Sequence, residues 1–323
     1  MKPFESFLAP ELTDYLRYRR SLGYDTQGSE SHLLIFDRYL RKVNAQWDSL
    51  QPFFFLEMRA HLPMEPRSVN RVLSSTRVFF HYLVRREVLP HNPLRDVPLL
   101  KEGAIVPFVF SPEQTERLLQ AVSNRIRKTQ EDFLIDLGLY VALVLLARCG
   151  MRISEPLKLL RQHYRRDDAT VFIDRTKFKK QRLVALPQAA VRELENYLSV
   201  RKQLVSRDTN PFLLAAMQGP LRNDQVYNLF RQAVTEIGLD QPRRVLGNLN
   251  ISRPTPHSLR HSFAVNTLIR IKQGGQSPQS ALPVLAAYLG HSEYKYTAVY
   301  LRVADAQSRK NLVDFALWQK RNA

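Results

Sequence analysis

Apolar residues recur at intervals of three and four in four stretches of the first hundred positions. That spacing is the period of an amphipathic α-helix, so the pattern predicts four helices. They span residues 9–22, 29–44, 50–61 and 67–87. Gly23 separates the first two helices, and two prolines near residue 90 end the last one. The sequence therefore predicts a small all-helical domain over residues 1–98.

A second domain is predicted after a short linker. Residues 99–108 have a charged, glycine-containing centre close to prolines on both sides, which favours an extended connection. Ser111 and Pro112 then supply a helix N-cap and a favoured first helical residue. We therefore place the second domain at residues 109–323, with a tail segment from about residue 304.

The second domain is predicted to combine helices with a few strands. An apolar helix is expected over 131–148, and the stretches 170–174 and 182–186 predict strands on either side of a Lys-rich turn. The helices predicted after them span 188–205, 222–236, 257–271, 280–290 and 294–303, with a final amphipathic helix near 306–319. The resulting fold class is mainly α with a small β-sheet, in which a helical N-terminal domain precedes an α+β C-terminal domain.

The charge of the chain indicates a polyanionic partner. Its 323 residues include 48 Lys and Arg but only 30 Asp and Glu, which gives a net charge of +18 and a pI near 10.2. Residues 1–106 carry 15 basic and 12 acidic side chains, and the remainder carries 33 and 18. The strongest positive field is therefore expected around the C-terminal domain. Charge alone would also fit ribosomal, heparin-binding and membrane-surface proteins.

The cysteine content and the hydropathy pattern exclude several further classes of protein. Cys149 is the only cysteine, which excludes an intramolecular disulfide framework and a cysteine-based zinc cluster. The first residues have no apolar core of the signal-peptide type, and the longest apolar run, 133–147, is short for a membrane span and contains Asp136. We expect a soluble cytoplasmic protein that does not associate with a membrane.

Two segments of the second domain contain candidate catalytic arginines. Arg152 follows the apolar helix and has Glu155 three residues later, a spacing that is most often a simple intrahelical ion pair. His257 and Arg260 lie one turn apart on a predicted helix, so their side chains share a face that could bind one phosphate. An H-x-x-R match is common by chance. His261 is interpreted as a structural residue that points elsewhere.

Two further segments supply a lysine, a histidine and a tyrosine. Lys177 lies at the turn between the predicted strands, where lysines are usually only solvated. His291 follows Leu289 and Gly290, and Tyr300 comes nine residues after it. A tyrosine in an amphipathic helix is far more often a packing residue than a nucleophile, and Tyr294 and Tyr296 are neighbouring alternatives.

Taken as a set, these side chains are the parts needed for transesterification at a phosphate without a metal. A phenol has a pKa near 10, so it needs nearby cations such as Arg152 and Arg260 to favour the phenolate and to neutralise charge on phosphorus. The departing 5′ oxygen needs a proton, which a lysine with a lowered pKa can give. Lys177 is the candidate. The chain has no G-x-x-x-x-G-K-[ST] pattern, and we expect neither a nucleotide nor a metal cofactor.

This arrangement resembles the tyrosine recombinase (phage integrase) family, whose site consists of an Arg, a hairpin Lys, an H-x-x-R pair, a later His and a nucleophilic Tyr. The segments ARCGMRISE, HSLRHSF and YLGHSEYKYTAVYLRV resemble the family's boxes in order and roughly in spacing. SLGYDTQGSESHLLIFDRYL and SVNRVLSSTRVFFHYLVRREVLPHNPLRDV are similar to its helical, SAM-like core-binding domain. The resemblance thus covers nearly the whole chain.

The resemblance implies a role for each matching residue. Arg152 and Arg260 would hold the scissile phosphate, and His257 and His291 would hydrogen-bond it or assist proton transfer. Tyr300 would form a 3′-phosphotyrosyl bond. Glu155 would be an accessory residue that steadies the site. Lys177 would be the general acid; Lys179 and Lys180 match the family's position for this lysine less well.

The implied function is site-specific DNA recombination, with integration or movement of a mobile element as the expected role. The implied partners are double-stranded DNA, three further copies of the chain in a homo-tetramer at synapsis, and accessory DNA-bending or partner recombinase proteins. A type IB topoisomerase-like enzyme and a non-catalytic DNA-binding protein are the alternatives. Residues 239–255 and 271–282 look longer than in compact family members, which leaves the subfamily open.

Overall fold

The computed structural model describes residues 3–174, 181–215, 219–247, 249–291, 293 and 295–308. The chain divides into two compact units, Met1–Gly103 and Ala104–Ala323. None of the described helices combines the length and the apolar character that crossing a membrane would require.

The first unit is a helical bundle, as predicted from its apolar spacing. Its α-helices are α1 (Ala9–Ser21), α2 (Gln27–Lys42), α3 (Pro52–His61) and α4 (Pro66–Arg85). Each lies within three residues of its predicted bounds. Their apolar faces meet in an aromatic core that includes Tyr15, Phe36, Phe55, Phe79 and Phe80.

The second unit is mainly helical. Its described α-helices are α5 (Pro112–Asn124), α6 (Gln130–Cys149), α7 (Ser154–Lys158), α8 (Gln188–Leu204), α9 (Asn223–Glu236), α10 (Pro256–Gln273), α11 (Pro278–Leu289) and α12 (Lys295–Ser308). Helix α6 lies at the centre and packs against α5, α8, α9 and α10. Residues 141–146 of α6 are all fully buried, which explains why this helix is apolar on every side.

The end of α12 differs from the prediction. The sequence predicted a helix that ended at residue 303 and a separate one from about 306, but α12 continues without a break to Ser308. Residues 309–323 lie outside the described part of the chain, so the predicted tail helix stays a prediction.

The described strands form two small sheets. They are β1 (Ala104–Val106), β2 (Tyr164–Arg165), β3 (Thr170–Ile173), β4 (Arg182–Ala185), β5 (Arg244–Leu246) and β6 (Leu249–Ile251). The predicted hairpin is confirmed, because β3 pairs antiparallel with β4 and β2 adds a third strand beside β3. Lys177 belongs to residues 175–180, which lie outside the described residues.

The second sheet was not predicted from the sequence. Strand β1 lies within the predicted linker and pairs parallel with β6, while β5 pairs antiparallel with β6. Each strand has three residues, too few for an alternating apolar pattern to appear. The longer segment at 239–255 is therefore partly a hairpin, and in the segment 271–282 only residues 274–277 separate α10 from α11.

Capping residues explain where the helices near the site begin and end. Ser111 accepts a hydrogen bond from the Gln114 backbone N–H at 3.1 Å, which confirms the predicted N-cap of α5. Gly150 ends α6 in the left-handed conformation at φ 59°. A Cβ atom there would lie 2.5 Å from Phe263, so both the turn and the packing require glycine. This turn leads directly into Arg152.

Candidate active site

The predicted site residues come from four separated segments that meet around α10. Arg152 and Glu155 follow α6, while His257 and Arg260 lie on the first turns of α10. His291 follows α11, and Tyr300 lies on α12. Helix α10 packs against α6, α11 and α12, which brings these segments together.

Three arginine side chains bind successive backbone carbonyls at the C-terminal end of α11. The last carbonyls of a helix lack intrahelical partners and carry partial negative charge, so guanidinium groups stabilise them. Arg182 Nε donates to Tyr288 O at 2.8 Å, Arg260 Nη2 to Leu289 O at 2.6 Å, and Arg152 Nη2 to Gly290 O at 3.1 Å. This helix end therefore acts as a template that fixes both predicted phosphate-binding arginines.

The end of α11 leaves little room for a side chain. Gly290 has φ 67°, and a Cβ atom on it would lie 2.9 Å from Arg182 Nη1. Glycine at this position therefore lets the arginine pass close to the backbone of the turn.

Glu155 links two of the three arginines. Its Oε1 accepts from Arg152 Nη1 at 3.0 Å, and its two oxygens accept from Arg182 at 3.0 and 2.8 Å. Oε2 also accepts from the Arg152 backbone N–H at 2.8 Å. Burial acts to raise the pKa of Glu155, but the hydrogen bonds and charge of Arg182 outweigh it and hold that pKa below its usual range. The carboxylate is thus a charged brace between the arginines.

Arg260 is almost completely buried, with 1% of its surface exposed. Besides Leu289 O it donates to Gly150 O at 2.7 Å, so backbone carbonyls hold the guanidinium from two sides. Burial and the neighbouring charge of Arg152 lower the pKa of Arg260 to about 10. The group therefore still carries its charge at neutral pH, in surroundings where water screens it little.

The two predicted histidines are held neutral beside these cations. Burial, then Arg260 and Arg152, lower the pKa of His257 to about 4, and the same causes lower that of His291 to about 4. His291 Nδ1 lies 2.7 Å from the Thr297 hydroxyl, a fully buried group on α12 that fixes the orientation of the ring.

Tyr300 is 4% exposed and packs among apolar residues of α10 and α11. Burial raises the pKa of its phenol, and the charges of Arg260 and Arg152 oppose that rise. Its hydroxyl oxygen lies 3.1 Å from His261 Nδ1, and its ring stacks on His291 with the centroids 6.1 Å apart. The phenol is therefore neutral in this state and lies against the arginine and histidine cluster.

The structure brings together all the predicted site residues except Lys177, which lies outside the described residues. It also places three residues there that sequence reasoning missed as contributors: Arg182, Thr297 and His261. Arg182 faces the same side of β4 as the buried Val184, and an inward-facing charge requires a partner. The alternation of side chains along the predicted strand could therefore have indicated from the sequence that Arg182 has a partner.

The interpretation of His261 as pointing elsewhere was wrong. Residues four apart on a helix share a face, so His261 lies beside His257 with the ring centroids 4.5 Å apart. It also reaches Tyr300. The i, i+4 spacing from His257 already contained this information.

We predict that the stability of the protein falls as the pH is lowered from about 6.5 towards 4. His257 and His261 have folded pKa values of about 4 and about 3, so the unfolded chain binds more protons than the folded one in this window. By pH 5.5, each of these two histidines should lower the free energy of unfolding by an amount on the order of 1 kcal/mol. The less buried His291 should lower it by less. The pKa values of Glu155 and Asp136 are lowered in the folded protein, so their contribution to stability also decreases as the pH falls.

The measurement is the urea unfolding midpoint between pH 7.5 and 5.0. His261→Asn should flatten the dependence, because it removes one of the titrating groups. Equal midpoints for the wild type across that range would contradict the prediction.

A comparison with known protein families gives a match to the part of the chain that contains the candidate site. The model of the phage integrase family matches residues 109–307. Among curated proteins, the chain is 28% identical over 310 residues to tyrosine recombinase XerD of Chlorobaculum tepidum, covering 94% of this chain and 92% of that protein. It is 27% identical over 309 residues to tyrosine recombinase XerC of Staphylococcus aureus, covering 91% of each.

Solved structures show the same fold at low sequence identity. A structure of XerH site-specific recombinase bound to palindromic difH substrate, a post-cleavage complex, matches with a TM-score of 0.68 at 16% identity, over 88% of this chain and 78% of that one. A lambda integrase dimer bound to a COC′ core site matches with a TM-score of 0.64 at 15% identity, over 91% and 76%. At these identities the likeness concerns the fold alone.

Proposed function

The chain belongs to the phage integrase family, and from that premise we propose that it is a site-specific DNA recombinase that cuts and rejoins strands through a covalent bond to Tyr300. The observation that carries the proposal is the convergence of two buried or half-buried arginines, two neutral histidines and a buried tyrosine around one helix end. Such a cluster suits one phosphate group.

The proposed reaction is a pair of transesterifications. The Tyr300 oxygen attacks a DNA phosphate, the bond from phosphorus to the 5′ oxygen breaks, and a 3′-phosphotyrosine and a free 5′ hydroxyl form. A 5′ hydroxyl from a partner strand then attacks the phosphotyrosine and releases the tyrosine. The number of phosphoester bonds is unchanged in each step, so no nucleotide cofactor is needed to drive the reaction.

The arginines stabilise the charge that develops on phosphorus. Backbone carbonyls already fix both Arg152 and Arg260, and Glu155 also holds Arg152, so the two arginines need little rearrangement when the phosphate binds. His257 and His291 are neutral, and a neutral imidazole can donate a hydrogen bond to a phosphate oxygen through one nitrogen. Lys177 gives the proton that the 5′ oxygen takes up as it departs.

The proposed substrate is double-stranded DNA, in agreement with the net charge of +18.

We further propose that strand exchange takes place in a homo-tetramer and that residues 306–319 dock on a neighbouring copy. Deleting 306–323 should then impair tetramer formation on DNA more than DNA binding. Integration or movement of a mobile element is the proposed role, with accessory DNA-bending or partner recombinase proteins among its partners.

The proposal is tested with a nicked duplex that traps the cleaved state. A binding site is first enriched from random duplex DNA with the Tyr300→Phe variant, so that selection depends on binding alone. The wild type is then incubated with the nicked site in the presence of a metal chelator, and the products are resolved on a denaturing gel. A protein–DNA band accompanied by a new 5′ hydroxyl end is the expected result.

Product analysis separates recombination from its alternatives. Strand transfer between two labelled duplexes supports a recombinase, whereas relaxation of supercoiled plasmid without transfer would favour a topoisomerase-like activity. Tight binding with no covalent band would instead support a non-catalytic DNA-binding protein.

A further inference from the structure

The Tyr300 hydroxyl has a specific partner on α10. Its oxygen lies 3.1 Å from His261 Nδ1, within hydrogen-bonding distance, and the two rings are tilted with centroids 5.5 Å apart. Tyr300 is 4% exposed, so little water reaches the phenol. A buried hydroxyl needs a hydrogen-bond partner, and His261 meets that need.

The other two histidines of the cluster are engaged differently. His291 directs Nδ1 to the Thr297 hydroxyl and offers the phenol only the stacked face of its ring. His257 packs edge-on against His261, with the ring centroids 4.5 Å apart. Within the described part of the chain, His261 is thus the histidine whose nitrogen meets the nucleophile.

The electrostatics of the contact favour orientation over proton removal. Burial, followed by the neighbouring His257 and Arg260, lowers the pKa of His261 to about 3, while burial raises the pKa of Tyr300. A proton moved from the phenol to this imidazole would therefore leave the more basic group for the less basic one. The hydrogen bond between two neutral groups fixes the direction of the hydroxyl instead.

We propose that His261 is a positioning residue that holds the Tyr300 hydroxyl in place for attack on the phosphate bound by Arg152 and Arg260. The inference rests on the proposed function, because it assigns His261 to the same reaction. A hydroxyl free to rotate away would spend less time in the attacking geometry, and misplacement on the order of 1 Å can cost about 100-fold in rate.

Two substitutions distinguish positioning from packing. His261→Leu fills the space without a hydrogen-bonding group, and His261→Asn restores a polar atom close to the place of Nδ1. We expect single-turnover cleavage of the nicked site to fall about 10- to 100-fold in His261→Leu and to recover to within about fivefold in His261→Asn. DNA affinity should stay within about twofold in both.

Val265→Ala is the matched control, since Val265 is buried on the same helix, packs in the same cluster as Tyr300 and has no polar group. This substitution is expected to lower stability through lost apolar packing while it leaves both partners of the hydrogen bond in place. A second measurement compares unfolding midpoints: His261→Leu should lower the midpoint less in a Tyr300→Phe background than in the wild type, because the hydrogen bond is already absent there.

The outcomes separate this inference from the proposed function. If the wild type forms no covalent complex on a site that it binds, the recombinase proposal and the role of His261 fall together. If the wild type cleaves and His261→Leu cleaves as fast, or no slower than Val265→Ala, only the role of His261 is refuted. Failure of His261→Asn to recover activity would refute it as well.

Discussion

Tyr300→Phe is expected to abolish the covalent protein–DNA complex and to leave DNA binding intact. The substitution removes one oxygen and keeps the ring that packs among α10 and α11 and stacks on His291. Because that oxygen is the proposed nucleophile, cleavage should fall below detection. DNA affinity should be unchanged, since the hydroxyl is buried and turned towards His261.

Tyr296→Phe and Tyr294→Phe are the matched controls for this result. Tyr296 is 48% exposed, and its hydroxyl donates to Glu293 at 3.2 Å, so it is turned to a different neighbour. Both control variants should cleave at rates close to that of the wild type. A covalent band that persists in Tyr300→Phe and disappears in a control would move the nucleophile to that residue.

Lys177→Ala should slow cleavage by about 100- to 10,000-fold, the usual contribution of a positioned general acid. The 5′ alkoxide is a poor leaving group unless it is protonated as the bond breaks. If Lys177 supplies that proton, a substrate with sulfur in place of the 5′ bridging oxygen should restore the rate, because the thiol has a pKa of about 8.5 and its thiolate departs without protonation.

Lys179→Ala and Lys180→Ala are the controls, because they remove equal charge from the same Lys-rich segment. For these two variants, the ratio of the cleavage rates on the oxygen and sulfur substrates should equal the ratio for the wild type. A loss rescued by sulfur in one of these variants would assign the acid to that lysine. A loss in Lys177→Ala that sulfur does not rescue would reduce Lys177 to a phosphate contact.

The sequence predicted the helices well, because their signals are local. Apolar spacing located α1 to α4 within a few residues, and Ser111 with Pro112 marked the start of α5. The hairpin of β3 and β4 was also visible, since its strands flank a clear turn. Strand β1 was not, because its hydrogen bonds go to β6, more than 140 residues away.

The candidate site shows the same division between local and distant information. The order of Arg152, His257, Arg260, His291 and Tyr300 along the chain was enough to nominate the cluster. The sequence could not show that the end of α11 holds three arginines, because those bonds join separated segments through backbone carbonyls.

Arg182 is an example of a site residue whose role the sequence could not show. In the sequence it was only a strand residue, yet it is 9% exposed and binds both oxygens of Glu155. A charge at that depth is stable only with a partner from elsewhere in the fold, so its importance depends on tertiary structure.

The most direct test of the account is to identify the amino acid that carries the DNA. The covalent complex formed by the wild type on the nicked site is digested with nuclease and trypsin, and the modified peptide is sequenced by mass spectrometry. Cleavage after Lys295 and Arg302 gives a peptide of residues 296–302, which contains both Tyr296 and Tyr300. We predict a nucleotide phosphate on Tyr300, and a modification on Tyr296 or on any other residue would contradict the account.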